Sequence, residues 1–349
     1  MLALGLLVGA CTAEAAPRST PGETGPGNDT PVTTSSVQPI GDGPSGDVAE
    51  PAPRAAVDWE SVPGVSIDSD AIVDIRTGEV RELPAGLPSS RGLRFYAVAP
   101  GGDVLVFQAS PGRKKSSQIF VVNVDGTNLR QLTDAPGSGA FAGGWSPDGT
   151  KIVAVLDRAA GHGDADLVLI DVATAETTVL ATDRGRDFDS PQFSSDGRMI
   201  LFSRFQKYHE LEAPYPEDEG SDVYAIPVGG GEATLLFEDR WNATFSPDGR
   251  TIVYERMVAV GNTGGMDIWL ADADGSGRRP LVPNDGPFGF TPSWSPDGTR
   301  IVFTKHPGDG RSLVAVVDVA SGTPTFAVRA PGSLIGVWLD DDTLLIDVG

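Results

Sequence analysis

Short apolar runs separated by polar turns recur along the sequence at a nearly constant spacing. Four turns share an aromatic-Ser-Pro/Ser-Asp-Gly pattern, and each is followed by an apolar run such as 152–155 (IVAV) or 301–303 (IVF). Degenerate copies at 98–102 and 338–342 flank these four. A fixed period of this length indicates a repeat architecture. The repeated turn positions are 44 to 52 residues apart, at 101, 148, 196, 248, 297 and 341.

Each repeat contains two predicted hairpins. Proline favours the first central position of a type I turn, and glycine tolerates positive φ at its exit, so each Ser-Pro-Asp-Gly turn closes a hairpin between strands A and B. A second apolar hairpin follows about 20 residues later, as in 167–174 and 268–275, and supplies strands C and D. Four antiparallel strands every 40–50 residues or so are typical of a β-propeller blade.

The two ends of the chain carry complementary half-blades. Residues 71–83 match a C–D hairpin that no A–B hairpin precedes, and the chain ends just after an A–B pair at 338–348. A set of sandwich hairpins would not explain this match. The sequence therefore predicts an all-β, six-bladed propeller over 68–349, with four-stranded antiparallel blades, closed by pairing the N-terminal strands with the C-terminal half-blade.

These repeats resemble the WD-repeat-like propellers of the TolB family, which carry the same aromatic-Ser-Pro-Asp-Gly turn. The resemblance covers about residues 70–349 and implies a six-bladed propeller fold. TolB itself has an α/β domain before its propeller, and this sequence has a Pro/Gly/Ser/Thr-rich stretch there instead. The same blade type occurs in propellers of prolyl-oligopeptidase-like peptidases and of some polysaccharide-related enzymes, so the resemblance implies fold more strongly than activity.

The N-terminus has the pattern of an export signal. Residues 2–10 are apolar but too few to span a bilayer, and they end at the single cysteine, Cys11. The stretch 8–11 (VGAC) resembles a bacterial lipobox, which implies a signal peptide over 1–11 and lipidation of Cys11, although no Lys or Arg precedes the apolar run. The alternative is a short buried segment with an incidental cysteine. Residues 12–57 are predicted to be a disordered linker.

Charge and cysteine content exclude several classes of protein. The 26 basic and 48 acidic residues give a formal net charge of −22, which disfavours a nucleic-acid partner. One cysteine cannot form an internal disulfide or a multi-cysteine metal site. The Asp side chains of the repeated turns, such as Asp148, are expected to bind turn backbone, and the repeated aromatic residues are expected to pack between blades.

In a propeller, strand A lines the central channel, and the face opposite the A–B turns carries variable loops, where binding is usually located. The residue four positions before each repeated aromatic differs from blade to blade, and we expect it at the channel mouth. These residues combine aromatic area with charge that can orient a bound peptide. The alternative is that they only plug the channel. The predicted partner-binding residues are Arg94, Phe141, Asp189, Trp241 and Phe290, and the sixth blade has Leu334 there.

The longest insertion between strands B and C, residues 205–219, is predicted to project from the third blade on the same face. It combines aromatic residues with five carboxylates, and Tyr208, His209 and Tyr215 are its candidate binding residues. This composition suits a basic partner or weak Ca²⁺ capture, and a solvated acidic loop is the alternative.

Signals of catalysis are weak. The sequence lacks a Gly-x-Ser-x-Gly elbow, and its three histidines are not in His-Glu-x-x-His spacing. His162, Asp164 and Asp166 resemble a metal triplet, but Asp70, Asp222 and Asp267 stand at the same repeat position as Asp166, which favours a structural role.

The function expected from the sequence is that of an extracytoplasmic, lipid-anchored, monomeric protein. It is expected to bind a protein or peptide in the cell envelope without catalysis or cofactor, and to meet the membrane only through its anchor. The alternatives are a secreted lyase or hydrolase acting on saccharide or peptide, and a structural envelope protein without a dedicated ligand.

Overall fold

A computed structural model describes thirteen parts of the chain, and every regular element in them is a β-strand. These parts are residues 57–85, 87, 94–110, 116–135, 139–158, 164–184, 186–206, 221–238, 240–260, 263–282, 288–306, 311–332 and 334–348. The described residues contain no helix long and apolar enough to cross a membrane.

Six sheets, one for each blade, contain all the strands of the described residues. The first strands in the chain are β1 (Gly64–Ser66), β2 (Ala71–Asp74) and β3 (Val80–Glu82). Blade 1 consists of β4 (Arg94–Val98), β5 (Val104–Ala109), β6 (Gln118–Asn123) and β7 (Arg130–Gln131). Blade 2 consists of β8 (Ala140–Trp145), β9 (Lys151–Asp157), β10 (Asp164–Asp171) and β11 (Thr177–Arg184). Blade 3 consists of β12 (Arg186–Phe193), β13 (Met199–Gln206), β14 (Asp222–Pro227) and β15 (Thr234–Phe237).

Three further blades follow in chain order. Blade 4 consists of β16 (Arg240–Phe245), β17 (Thr251–Val260), β18 (Thr263–Asp272) and β19 (Arg279–Val282). Blade 5 consists of β20 (Phe288–Trp294), β21 (Arg300–His306), β22 (Arg311–Asp318) and β23 (Pro324–Pro331), with β1 added at its edge. Blade 6 joins β24 (Leu334–Trp338) and β25 (Thr343–Val348) to β2 and β3.

The blades form a closed ring around a central channel. The first strand of each blade contacts the first strand of the next, in the order β4, β8, β12, β16, β20, β24, and β24 contacts β4 again. In blade 6, β2 pairs antiparallel with β25, so that Ala71 lies opposite Ile346 and Asp74 opposite Thr343. The predicted six-bladed propeller, closed by strands from both ends of the chain, is confirmed.

The core lies between neighbouring blades. Val153 and Leu167 of blade 2, for example, join one buried cluster with Ile200 and Phe202 of blade 3. Full burial of such a side chain contributes about 1.5–3 kcal/mol. The repeated tryptophans add directed contacts, since Trp145 Nε1 donates to Ala97 O of the preceding blade at 3.4 Å. The expectation that the repeated aromatic residues pack between blades is confirmed.

The repeated turns are built as the sequence predicts. In blade 2, Ser146 Oγ donates to Asp148 Oδ1 at 2.6 Å, and the same carboxylate accepts the Thr150 backbone N–H at 3.0 Å. Asp248 and Asp297 accept the equivalent N–H groups of Arg250 and Thr299. These bonds hold the pKa of Asp148 down at about 2, first through Ser146 and then through Thr150. Part of the net negative charge of the protein therefore belongs to aspartates that hold the repeated turns in shape.

One strand is not anticipated by the repeat. β1 pairs in parallel with β23 and extends blade 5 to five strands, and Trp59 just before it packs edge-on against Phe303, with ring centroids 6.0 Å apart. Gly64 lies opposite Ala327, and a Cβ on Gly64 would stand 1.7 Å from the Ala327 carbonyl oxygen. Only glycine allows this close approach.

Candidate functional site

The inner strands of blades 3, 4 and 5 share an unusual backbone feature. Each has a register shift in its pairing with the second strand of the blade, and the first residue of each shift is not glycine yet has positive φ. The residues are Ser190 at 48°, Asn242 at 47° and Thr291 at 53°. Positive φ is costly for side chains other than glycine, most of all for a β-branched residue such as threonine. Three neighbouring inner strands therefore have a strained backbone at the same repeat position.

Behind this part of the wall lies a buried carboxyl group. Glu255, in the second strand of blade 4, has no exposed surface, and its Oε1 accepts the Thr291 backbone N–H of blade 5 at 2.5 Å. Its other oxygen, Oε2, is buried and has no hydrogen-bond partner among the described residues. A buried polar atom without a partner carries a desolvation cost of about 1–3 kcal/mol.

Burial keeps this carboxyl protonated at neutral pH. It raises the pKa of Glu255 to about 8, because the charged form loses its hydration. Hydrogen bonds from the Asn242 side chain and the Thr291 amide oppose this shift, and the negative charge of Asp189 adds to it. Asp189 is thus the smallest of these influences on Glu255, and it acts across the wall between blades 3 and 4.

A chain of hydrogen bonds links the buried carboxyl to the exposed one. The Asn242 amide bonds to Glu255, and Asn242 Oδ1 accepts a hydrogen bond of 2.5 Å from Ser190 Oγ in blade 3. The Ser190 backbone N–H in turn donates to Asp189 Oδ1 at 2.8 Å. The Asp189 side chain is exposed. Strained backbone, a buried acid and an exposed acid thus form one network.

The residues predicted at the channel mouth differ in their surroundings. Asp189 is exposed, and half-buried Trp241 lies opposite Glu255 in the strand pairing. Phe141 is half-buried against the apolar cluster between blades 2 and 3, and Leu334 is buried. Arg94 and Phe290 belong to the inner strands β4 and β20, and their side chains lie outside the described part of the structure.

The remaining predicted site residues lie outside the described residues. These are the lipidation candidate Cys11 and the insertion residues Tyr208, His209 and Tyr215. Asp166 is described, and it pairs with Arg158 Nε at 2.5 Å and accepts from Thr182 Oγ1 at 2.7 Å. These contacts support its structural role. Within the described ranges, no group of three or more His, Cys, Asp or Glu side chains is arranged to hold a metal ion.

Two neighbours of this network, Asp189 and Trp241, are among the residues that the sequence predicts at the channel mouth. Its central residues are not: Ser190, Asn242 and Thr291 follow predicted positions by one residue, and Glu255 lies in the second strand of its blade. A signal for Glu255 exists in the repeat, because its position in the second strand is occupied in the other blades by Gln108, Val155, Ser203, Thr304 and Asp347.

Three side chains at this position form hydrogen bonds to the next blade. Ser203 Oγ accepts the Asn242 N–H at 3.2 Å, and Thr304 Oγ1 donates to Leu334 O at 2.8 Å. Glu255 holds Thr291 in the same way. Of these three linkers, Glu255 carries a carboxyl group where Ser203 and Thr304 carry hydroxyl groups, and this difference points to a function beyond scaffolding.

A closed ring of four-stranded antiparallel blades defines a six-bladed β-propeller, and its channel wall carries a polar network. Comparison with known proteins identifies its family. Residues 112–332 match the family PD40, described as the TolB beta propeller domain, and the chain belongs to that family.

Individual relatives match at low identity. The chain is 28% identical over 262 residues to the Tol-Pal system protein TolB of Anaeromyxobacter dehalogenans, covering 72% of this chain and 50% of that protein. It is 25% identical over 221 residues to dipeptidyl-peptidase 5 of Porphyromonas gingivalis, covering 61% of this chain and 29% of the peptidase. The chain therefore spans half the length of one relative and less than a third of the other.

A solved structure supports the fold. The crystal structure of TolB from Acinetobacter baumannii matches with a TM-score of 0.54 at 16% sequence identity, over 75% of this chain and 65% of that one.

Proposed function

We propose that this protein is an extracytoplasmic lipoprotein whose propeller binds a protein or peptide partner at its central channel without catalysis. The observation that carries this proposal is the strained network in the channel wall, with exposed Asp189 and half-buried Trp241 beside it. Strained backbone tends to occur where a site is preorganised for a ligand. An aromatic ring next to a charged group supplies contact area together with orientation.

Family membership supports the class of partner. The TolB relative is named as a protein of the Tol-Pal system, and this chain matches the TolB beta propeller domain over residues 112–332. Propeller faces present variable side chains on a rigid ring, which suits protein recognition. The proposal makes the partner a protein or peptide of the cell envelope and the propeller a monomer that needs no cofactor.

Attachment and a second contact surface complete the proposal. Lipidated Cys11 would anchor the chain, residues 12–57 would link the anchor to the propeller, and Tyr208, His209 and Tyr215 of the insertion would extend the contact made at the channel. Replacing Cys11 by Ala tests the anchor. We expect the Cys11→Ala variant to leave the membrane fraction, and unchanged partitioning would contradict lipidation.

The binding site is tested by recovery of partners from the native envelope after crosslinking. Asp189→Asn combined with Trp241→Ala is compared with Leu129→Ala combined with Glu232→Gln. Leu129 is 53% exposed, Glu232 is exposed, and both lie in turns between the third and fourth strands of their blades, on the opposite face. We expect the channel variant to lose the partner and the control to keep it. Equal recovery with both variants would contradict the proposed site.

An enzyme acting on peptides or saccharides is the alternative function. The match to dipeptidyl-peptidase 5 favours it, although that match covers 29% of the peptidase. Glu255 has no exposed surface and therefore does not contact a substrate in this conformation. A screen of peptide and saccharide substrates, with metal analysis of the purified protein, distinguishes the two functions, because turnover that persists through purification is expected only of the enzyme.

A further inference from the structure

We propose that the channel wall at Asp189 receives a lysine or arginine side chain of the partner, and that Glu255 behind it releases a proton when this positive charge arrives. This inference rests on the proposed binding function and specifies its chemistry. The proton leaves the carboxyl oxygen of Glu255 for bulk water, and its bonding electron pair stays on the carboxylate. The negative charges of Asp189, at the surface, and of Glu255, behind it, then both act on one cation.

The geometry favours a cationic group over an anionic one. Asp189 is an exposed carboxylate, and the backbone donors nearest to the network, the N–H groups of Ser190 and Thr291, are already bonded to Asp189 and Glu255. Trp241 holds the same repeat position in the neighbouring inner strand and is half-buried, and aromatic rings of this kind stabilise ammonium and guanidinium groups. The net charge of −22 attracts a basic partner at long range.

The geometry also favours a side chain over a metal ion. Calcium takes six to eight oxygen ligands, typically from several carboxylates. Only two carboxyl groups belong to this network, and the described residues hold no cluster of three that could bind a metal. A single ammonium or guanidinium group needs fewer partners, and a guanidinium can bond to the two oxygens of one carboxylate such as that of Asp189.

The buried oxygen supplies the second observation. Glu255 Oε2 is shielded from solvent without a hydrogen-bond partner among the described residues, in a residue that is otherwise bonded to Thr291 and Asn242. The carboxyl is thus incompletely satisfied in the unliganded protein. A cation at Asp189 would stabilise the ionised form of Glu255, because it would offset the negative charge of Asp189 that acts on this carboxyl.

Among the described residues, few charged groups act on the Glu255 proton. The described residues beside the Glu255 side chain are Trp241 and Asn242 from β16, Ile268 from β18 and Thr291 from β20. None of their side chains titrates near neutral pH. Asp189 of β12 is the charged group that acts on it.

The other charged residues of blade 4 lie on the opposite side of the sheet. These residues are Arg256 and its two pairing partners, Arg240 and Asp267, whose side chains point away from Glu255 because successive residues of a strand face opposite sides. Arg240 stacks on the Tyr254 ring and Arg256 on the Trp269 ring.

The sign of the pH effect follows from linkage. Unliganded Glu255 has a pKa of about 8, and a bound cation lowers it. Binding below pH 8 therefore releases protons, and affinity for a basic peptide rises with pH until Glu255 is ionised in the unliganded protein too. Glu255→Gln mimics the protonated group, so this variant is expected to bind without releasing a proton and without this pH dependence.

The test uses a phage-displayed library of random dodecapeptides, selected at pH 7 against the EDTA-treated full-length protein and in parallel against Asp189→Asn. The best peptide is synthesised with its basic residue and with Gln in that place. Calorimetry in phosphate and in Tris, whose ionisation enthalpies differ, counts the protons released on binding. Thermal unfolding of each variant checks that it is folded. If Glu255→Gln does not fold, the pH profile of wild-type affinity replaces it.

We expect the wild type to select peptides with a lysine or arginine at a fixed position. Replacing that residue by Gln, or Asp189 by Asn, is expected to lower affinity at least about tenfold. A measurable fraction of a proton should be released by the wild type and none by Glu255→Gln. A merely structural Glu255 would not change the proton count.

Three results would overturn the inference. Selection of peptides without basic residues, or equal binding by Asp189→Asn, refutes the cation subsite while peptide binding survives. Stoichiometric binding of Ca²⁺ alone, in competition with the peptide, makes the site a metal site. Failure of the library to enrich any peptide on the wild type contradicts the proposed binding function itself.

Discussion

Ser190 Oγ donates a 2.5 Å hydrogen bond to Asn242 Oδ1, and so joins the inner strands of two neighbouring blades at residues that both have positive φ. The Asn242 N–H is bonded as well, to Ser203 Oγ of blade 3 at 3.2 Å. Asn242 therefore connects blades 3 and 4 through its backbone and its side chain, and presents its amide to Glu255. A residue with this many roles should be sensitive to its exact chemistry.

Asn242→Ala is expected to lower the free energy of unfolding by about 2–3 kcal/mol. It removes side-chain hydrogen bonds worth about 1 kcal/mol each and leaves a Cβ at positive φ, where asparagine is better tolerated than alanine. Asn242→Gly loses the same hydrogen bonds and relieves the strain, so it should be about 1 kcal/mol more stable than the alanine variant. Urea unfolding measures both. Equal stability of the two variants would show that the backbone is not strained.

Glu255 is expected to make stability depend on pH in the direction opposite to a typical surface acid. Its pKa is about 8 in the folded protein and near 4.5 when unfolded, so between these values only the folded state holds the proton. Stability from this group therefore falls as pH rises from about 4.5 to 8, by at most about 1.4 kcal/mol per pH unit.

Glu255→Gln removes this dependence and keeps the size of the side chain. The variant should gain stability relative to the wild type between pH 5 and pH 8, by up to several kcal/mol. Urea unfolding at several pH values measures the difference, and Glu232→Gln, an exposed residue on the other face, is the control. Parallel pH curves for Glu255→Gln and the wild type would show that Glu255 is already ionised.

The fold was predictable because its signals are local and repeated. Each Ser-Pro-Asp-Gly turn specifies a hairpin by itself, and four copies with two degenerate ones at a nearly constant spacing leave little choice of architecture. The half-blade at 71–83 could be matched to the C-terminal pair because a propeller must close. β1 could not be predicted, since three residues without a repeat pattern are held only by long-range pairing with β23.

The site was only partly predictable. Strand A could be recognised and counted, which led to Asp189 and Trp241. The bulges could not be foreseen, because Ser190, Asn242 and Thr291 adopt positive φ without the glycine that usually signals it. Glu255 lies in a segment with an ordinary β-strand pattern, and its burial depends on blade 5, which packs over it.

Asp148 is expected to stabilise its turn except in strong acid. Its pKa is about 2 in the folded protein against an ordinary 3.8, so its contribution is complete above about pH 4 and is lost as pH falls through 2. Asp148→Asn should cost up to about 1 kcal/mol at pH 7, because the turn is mostly exposed and solvent screens the effect. The cost should vanish near pH 2. Unfolding midpoints at both pH values measure it, and a cost that persists at pH 2 would mean that shape rather than charge matters.

Gly64→Ala is expected to detach β1 from blade 5. Its Cβ would stand 1.7 Å from the Ala327 carbonyl oxygen, which belongs to backbone that β22 also holds, so β1 must move instead. Detachment would also withdraw Trp59 from Phe303, and loss of a buried aromatic contact of this size costs about 3 kcal/mol.

Hydrogen exchange measures this local effect directly. Residues 64–67 and 327–329 should lose protection in Gly64→Ala, while β24 and β25 of blade 6 keep theirs, because β2 pairs with β25 independently of β1. Ser66→Ala, an exposed position in the same strand, is the matched control and should exchange like the wild type. Loss of protection throughout blade 6 would instead show that β1 is needed to hold the ring closed, which would make this short parallel strand part of the closure.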